Sequence, residues 1–272
     1  MTGKVKPSKN TQPPSLILLA MEGRVALDAA SMAPMFALRR FLPRGDGHPV
    51  LFLPGFLTSS SATWPLRRYF AGLGYASHRW KLGTNLGYSE ELRGKIADRI
   101  ANLNRRYGKK VSLVGWSLGG IYARELARDM PDQVRQVITM GSPFRGAPET
   151  TNILRLYNYV TQNSLDADRE LLDGIATPPP VPTTALYTRT DGIVAWQGTV
   201  ENSHRSDVQN IHVGGPHVGL GFNARALIAL ADRLAQPEDN WQRFKPRGMM
   251  KLLFQSHYPQ WLVGPAEPDW VG

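Results

Sequence analysis

The 272-residue chain contains no cysteine. That absence removes every thiol chemistry at once: a cysteine nucleophile, a thiolate-held iron–sulfur cluster, a cysteine zinc site and a disulfide scaffold. Long hydrophobic runs are missing too. The stretch Ser15-Leu-Ile-Leu-Leu-Ala-Met21 follows basic residues much as a signal sequence would. Glu22 and Arg24 interrupt it too soon for a cleavable apolar region or a spanning helix. Acidic residues are the scarcer charge, 22 against 32 Lys and Arg, leaving a formal net charge of +10. Taken alone, that surplus points to nucleic acid, anionic lipid or an acidic partner. No stripe of interleaved aromatic and basic residues accompanies it. Arg39, Arg40, Arg67, Arg68, Arg105 and Arg106 fall on different predicted elements, so no nucleic-acid partner is expected. Peripheral contact with an anionic lipid surface stays open, and the expected location is the cytoplasm with membrane association as its variant.

What is present suits one globular domain. With 42% hydrophobic and 20% charged residues the chain has enough apolar content to offset its conformational entropy. Residues 1–14, MTGKVKPSKNTQPP, carry three Lys and two adjacent Pro and read as a flexible basic tail. Residues 15–272 read as a single domain. Its first element is expected to be a surface helix from Ser15 to about Arg40, with monotopic membrane attachment as the alternative. From His48 onward short apolar runs alternate with helix-length periodic stretches, the pattern of helices packed on a largely parallel sheet. Predicted strands are Val50–Leu53, Tyr75–Trp80, Val111–Val114, Val134–Met140, Thr184–Tyr187 and Ile211–Val213. Predicted helices cover Thr63–Leu73, a stretch capped by Ser89 with apolar Leu92, Ile96, Ile100 and Leu103, then Leu118–Asp129 and Gly221–Leu234. Residues 146–182 break the beat and read as a helical insertion above the sheet that ends in a stiff Thr-Pro-Pro-Pro-Val-Pro segment. The stretch after Pro237 is expected to wrap the domain.

Gly115-Trp116-Ser117-Leu118-Gly119 matches G-x-S-x-G between a predicted strand and a predicted helix. A random order of this composition would contain roughly 0.1 such pentapeptides, so the context carries the weight. A sharp strand-to-helix turn strains the serine and tolerates only small residues two places to either side, the positions of Gly115 and Gly119. It also leaves the serine at a helix N-terminus, which favours developing negative charge.

A serine hydroxyl is a weak nucleophile and needs a base with a partner that orients it. If the chain order is serine, acid, histidine, the base is one of His204, His212, His217 and His257. His217, in Gly214-Gly-Pro-His217 after the last predicted strand, is the leading candidate, and His212 lies inside that strand pattern. Asp191, just after the strand ending at Tyr187, is the candidate acid, with a plain Asp-Gly turn residue as the lesser alternative. Glu149, Asp166, Asp168, Asp173 and Asp207 are weaker candidates because none directly follows a predicted strand. Backbone N–H groups of Phe56 and Leu118 are the candidate oxyanion donors.

Together these features resemble the α/β-hydrolase superfamily, in particular bacterial lipases and esterases, from about Pro49 to Leu234. The resemblance rests on the turn Leu53-Pro-Gly-Phe56, the elbow Gly115 to Gly120, the loop Gly141-Ser-Pro-Phe-Arg-Gly146 and the spacing of Asp191 and His217. Pro54 stands where lipases often have histidine, which leaves the N–H donor intact but weakens assignment to a subfamily. The resemblance implies an α/β-hydrolase fold with a cap over residues 146–182. It also implies cleavage of a small-molecule or lipid carboxylic ester through an acyl-enzyme, with no metal or cofactor. Trp116 and Phe144 are the candidate substrate-binding side chains. An acyltransferase or thioesterase with the same residues, and a hydrolase-like binding protein without turnover, are the alternatives.

Overall fold

A computed structural model describes residues 13–145, 151–152 and 174–255 of the chain. Six strands, β1 (Pro49–Leu53), β2 (Ala76–Arg79), β3 (Val111–Trp116), β4 (Val134–Met140), β5 (Thr183–Tyr187) and β6 (Val208–His212), form one sheet. Their order is β2-β1-β3-β4-β5-β6, and every neighbouring pair is parallel. Parallel strands covered on both faces need continuous apolar runs, and every residue of β1, β3 and β5 is buried. The edge strand β6 mixes buried Val208 and Ile211 with half-buried Gln209 and Asn210. That mixture explains why its apolar signal reads as Ile211–Val213, three residues late at the start.

Among the described residues the helices are α1 (Leu16–Ala20), α2 (Val25–Leu38), α3 (Trp64–Gly72), α4 (Glu90–Tyr107), α5 (Leu118–Asp129), α6 (Ala224–Leu234) and the short α7 (Met249–Phe254). The alternation of side chains along a strand divides them between two layers. Val50, Phe52, Val114 and Ile138 face α3, α6 and the Met32 and Met35 side chains of α2. Leu51, Leu53, Leu113 and Val137 face α4 and α5. In α4 the Ser89 hydroxyl caps the N-terminus by accepting from Leu92 N–H, Ile96, Ile100 and Leu103 are buried, and Gly108 ends the helix at φ 60°.

The single helix expected from Ser15 to Arg40 is instead broken. A 3₁₀ turn, Met21–Arg24, separates α1 from α2, and a second, Arg39–Phe41, follows. The break falls at Gly23, a weak helix former. Leu18, Met32 and Met35 anchor this segment on the domain while Leu16, Ile17, Leu27 and Phe41 stay exposed. No described helix is long and apolar enough to cross a membrane. Past α6, the described part of the stretch after Pro237 returns to the sheet edge at Phe244. The Gln209 carboxamide donates to Phe244 O (3.0 Å) and accepts from Phe244 N–H (2.7 Å), and Phe254 packs edge-on against Phe244. The flexible tail assigned to 1–14 and the insertion assigned to 146–182 fall largely outside the described residues.

Strand order reverses between β1 and β3, so their carboxyl ends flank the crevice where sites form in open parallel sheets. Directly behind that crevice, Arg124 of α5 is fully buried. Its guanidinium pairs with buried Glu201, donates to Ile175 O (2.9 Å) and covers the Phe144 ring at 3.7 Å. Glu201→Ala leaves that cation uncompensated and is expected to destabilise the protein by about 3–5 kcal/mol in denaturant unfolding.

Candidate active site

Ser117 passes from β3 into α5 without a loop, and its backbone sits at φ 52°, ψ −124°. For a residue with a side chain such a conformation costs about 1–3 kcal/mol. Ser117 N–H donates to Met140 O (2.8 Å), and Ser117 O accepts from Gly120 N–H (2.9 Å). Three glycines make the turn sterically possible. A Cβ on Gly115 would lie 2.4 Å from Gly120 Cα, one on Gly119 2.3 Å from the Leu53 carbonyl oxygen, and one on Gly120 2.0 Å from Ser142 Oγ. Because α5 opens at Leu118, its N–H has no acceptor inside the helix and lies at the positive end of the helix dipole.

The turn after β1 reaches the same place. A Cβ on Gly55 would sit 3.1 Å from Ser117 Cβ, which brings the Gly55-Phe56 backbone alongside the serine. Asn85, fully buried, pins this turn. Its side chain donates to Pro54 O (2.9 Å), its N–H donates to Thr58 O (2.8 Å), and its carbonyl accepts from Leu57 N–H (2.7 Å). Nothing in the sequence around Asn85 signals that role, because the contact is made across two loops.

His217, 5% exposed, lies in the loop after β6. Its Nδ1 donates to Asp191 Oδ2 (2.6 Å), since an ionised carboxylate only accepts. Asp191 Oδ1 accepts from Ile193 N–H (2.9 Å) and Val194 N–H (2.7 Å). The two readings of Asp191 therefore coexist: one oxygen organises the turn and the other holds the imidazole. Burial alone would push the imidazole down, but the charge and hydrogen bond of Asp191, joined by the charge of Glu22, hold it above its ordinary value. His217 also lies close to the serine's surroundings. Trp116 Nε1 donates to the His217 carbonyl (3.3 Å), and a Cβ on Gly141 would lie 3.0 Å from His217 Nδ1. Among the described residues no hydrogen bond joins Ser117 Oγ to the imidazole. In ligand-free sites such bonds are often long and tighten when substrate is bound.

The other candidates sit elsewhere. His212 stays in β6 with its ring against Tyr187, accepts from Arg189 N–H (3.5 Å), and is held neutral by burial with a pKa of about 4. His204 is exposed in a loop, and His257 lies outside the described residues. Asp207 pairs with Arg205 (2.6 Å). Glu149, Asp166, Asp168 and Asp173 lie outside the described residues. Of the two aromatic side chains expected to meet substrate, Trp116 is 8% exposed, whereas Phe144 has no exposed surface and packs with Ile121, Ile175 and Ala185 beneath Arg124. No group of acidic and histidine side chains that would hold a metal occurs among the described residues.

Two features were not visible in the linear pattern. Glu22 reaches from the segment ahead of β1 into the site loops: Oε1 accepts from Gly192 N–H (2.8 Å) and His217 N–H (2.9 Å), and Oε2 from Val218 N–H (2.9 Å). The positive charge is also less scattered than its spacing suggested. Arg67 of α3, Arg79 of β2, Lys81, and Arg99 and Arg106 of α4 line one surface groove of about 440 Å³ at the β2 edge, with no carboxylate in its lining.

Residues 50–270 match the alpha/beta hydrolase family. Two bacterial proteins named pimeloyl-[acyl-carrier protein] methyl ester esterase are similar to parts of the chain. The one from Aliivibrio salmonicida is 31% identical over 106 residues, 39% of this chain and 40% of that protein. The one from Shewanella woodyi is 30% identical over 98 residues, 36% of this chain and 37% of that protein. The chain thus matches about 40% or less of the length of these curated relatives. Among solved structures, Aspergillus fumigatus lipase B superposes with a TM-score of 0.58 at 18% identity, over 80% of this chain and 60% of that one. A monoacylglycerol lipase from Paleococcus ferrophilus superposes with a TM-score of 0.52 at 16% identity, over 71% and 96%. At these identities the structural likeness is one of fold.

The glycine constraint is directly testable. Gly119→Ala drives a methyl group into the Leu53 carbonyl and is expected to destabilise the protein by about 1–3 kcal/mol in denaturant unfolding, whereas Gly94→Ala, where a Cβ would meet nothing within 4 Å, should leave stability unchanged or raise it.

Proposed function

The chain belongs to the alpha/beta hydrolase family, and from that premise we propose that it hydrolyses carboxylic esters with Ser117 as nucleophile, His217 as general base and Asp191 as the group that orients the base. One observation carries this reading. The only serine at positive φ among the described residues stands at a strand-to-helix turn whose neighbouring Trp116 is hydrogen-bonded to the loop bearing a buried His–Asp pair. The names of the relatives support an ester as the substrate class. Trp116, next to the serine in the chain, is the proposed contact for an apolar acyl group.

The proposed reaction assigns one step to each of these residues. Asp191 holds Nδ1–H of His217, which leaves Nε2 with the lone pair. Nε2 takes the Ser117 proton as Oγ attacks the acyl carbon. The carbonyl oxygen becomes an oxyanion that the N–H groups of Leu118 and Phe56 stabilise at the positive end of α5. The intermediate collapses when the imidazolium returns its proton to the departing alkoxide, giving an acyl-Ser117 ester and free alcohol. Water, deprotonated by His217, then releases the carboxylic acid and restores the serine.

Contact with an anionic lipid surface is proposed on two observations. Leu16, Ile17 and Leu27 are exposed on the segment that touches the acid loop, and Arg39 and Arg40 sit beside exposed Phe41. This combination of apolar and basic side chains suits an interfacial element. Ile17→Ser with Leu27→Ser should weaken cosedimentation with anionic vesicles; unchanged binding would remove this part of the proposal.

Ser117→Ala should abolish hydrolysis of p-nitrophenyl esters with little change in thermal stability. Asp191→Asn should lower kcat by about 10⁴-fold through loss of imidazole orientation. Since the imidazole must be neutral to accept a proton and its pKa lies above the ordinary 6.5, kcat/KM should rise with pH through an apparent pKa above that value. A profile already flat at pH 6 would contradict the assignment of His217. Added alcohol serves as a control on reaction type, because dominant transfer to alcohol rather than water would redefine the activity as acyl transfer.

A further inference from the structure

Glu22 lies ahead of the residues matched to the family, 95 positions before Ser117 in the chain. Its carboxylate nevertheless binds both loops of the candidate site: Gly192 directly follows Asp191, and the other two donors are the backbone N–H groups of His217 itself and of Val218. We propose that Glu22 is a positioning residue of the site, a carboxylate brought in by the helical segment ahead of β1 that locks the acid loop to the histidine loop and fixes the imidazole for proton transfer. The inference rests on the reading of His217 as base, and deepens it.

The chemistry of the donor set explains why a carboxylate is needed. Three N–H groups converge on one side chain. An ionised carboxylate offers about four acceptor positions and no donor, whereas an amide would turn N–H groups toward N–H groups. Charge-assisted bonds of this kind are about twice as strong as neutral ones. The rest of the segment is shaped around the same contact. A Cβ on Gly192 would lie 2.3 Å from the Leu18 carbonyl oxygen, so α1 rests directly on the acid loop. Asn152 bridges that loop to the segment, donating to Gly192 O (2.8 Å) and Pro14 O (3.0 Å). Six residues beyond Glu22, Asp28 accepts from Asn223 Nδ2 (2.9 Å), the residue that caps α6 after the histidine loop. From the opposite side the Thr188 and Thr190 hydroxyls donate to Gly215 O (2.6 and 2.9 Å). Besides the Asp191–His217 pair itself, the acid and histidine loops are thus tied through the threonine hydroxyls and through Glu22, and of these two further ties the Glu22 one carries charge to the imidazole.

The charges facing this cluster are few. Asp191 and Glu22 face His217, Arg24 lies near the Thr190 carbonyl, and Asp28 stands close to Arg24 and Arg225. Removing Glu22 therefore takes away one of two carboxylates that favour the protonated imidazole while leaving Asp191 in place. A purely structural brace would affect stability alone, whereas a positioning residue also changes the titration of His217 and the turnover of each intact site.

The test uses the whole chain with Glu22→Gln, Glu22→Ala and Glu22→Asp. The His217 imidazole is titrated by NMR on histidine-labelled protein, and kcat and KM for a p-nitrophenyl ester are normalised to sites titrated with a fluorophosphonate. The expected result is a lower His217 pKa in the Gln and Ala variants, with KM nearly unchanged. Their kcat per titrated site should fall by up to about 100-fold, the scale set by ångström displacement of a catalytic group. Glu22→Asp keeps the charge but shortens the reach, so it should retain more of the parent pKa than of the parent kcat. The proposal is overturned if the Gln and Ala variants keep the parent His217 pKa and the parent kcat per site, even with a lowered Tm. The NMR titration needs no turnover. Failure of the parent to react with esters would therefore remove the esterase reading while the influence of the Glu22 charge on the imidazole was still decided.

Discussion

The architecture of the site depends on one steric constraint, the passage from β3 to α5 with Ser117 in a conformation that side chains disfavour. The strain is local, but the conditions that allow it are not. Gly119 must let the first turn of α5 approach the Leu53 carbonyl at the end of β1, Gly115 must let β3 approach Gly120, and Gly120 must accept Ser142 from the loop after β4. Three neighbouring strands of the sheet therefore converge on one turn. The cost of the serine conformation is offset by burial of β1, β3 and β4 on both faces, which holds their carboxyl ends in register. A rigid elbow of this kind lets the neighbouring loops, rather than the serine, carry the adjustable chemistry.

Electrostatics is arranged around that elbow in the opposite sense to the molecule as a whole. The chain is strongly basic, yet the groups that bear on the imidazole are carboxylates, Asp191 directly and Glu22 through the backbone of the same loop. Burial disfavours an imidazolium, and these two charges reverse that preference. The histidines elsewhere show the contrast. Among the described residues His78 and His212 have no carboxylate beside them and are held by burial near a pKa of about 4, and in His48 burial and the Arg135 charge outweigh its bond to Asp46 with the same result. In His217 the neighbouring carboxylates instead favour the protonated ring.

Much of this was legible in the sequence because it is written in local patterns. Leu118–Asp129 and Val134–Met140 have the bounds that periodicity assigned to them. Gly115, Ser117 and Gly119 announce a turn whose steric logic is contained within five residues. Asp191 and His217 were legible through their places just beyond strand ends, and the structure joins them by a hydrogen bond. What stayed hidden is non-local. Asn85 and Glu22 act through contacts with loops distant in the chain, and an isolated polar residue has no period or spacing to betray it. The start of β6 is obscured because an edge strand need not be apolar on both faces, and aromatic content does not reveal that a guanidinium covers the Phe144 ring.

The central claim is that the Ser117 hydroxyl is a nucleophile activated by His217. Reaction of the purified chain with a fluorophosphonate, followed by peptide mapping, tests it most directly. A single phosphonylated residue, Ser117, is expected, with labelling strongly slowed in His217→Ala and retained in His212→Ala. Absence of labelling on folded protein, or a label on another serine, would contradict it.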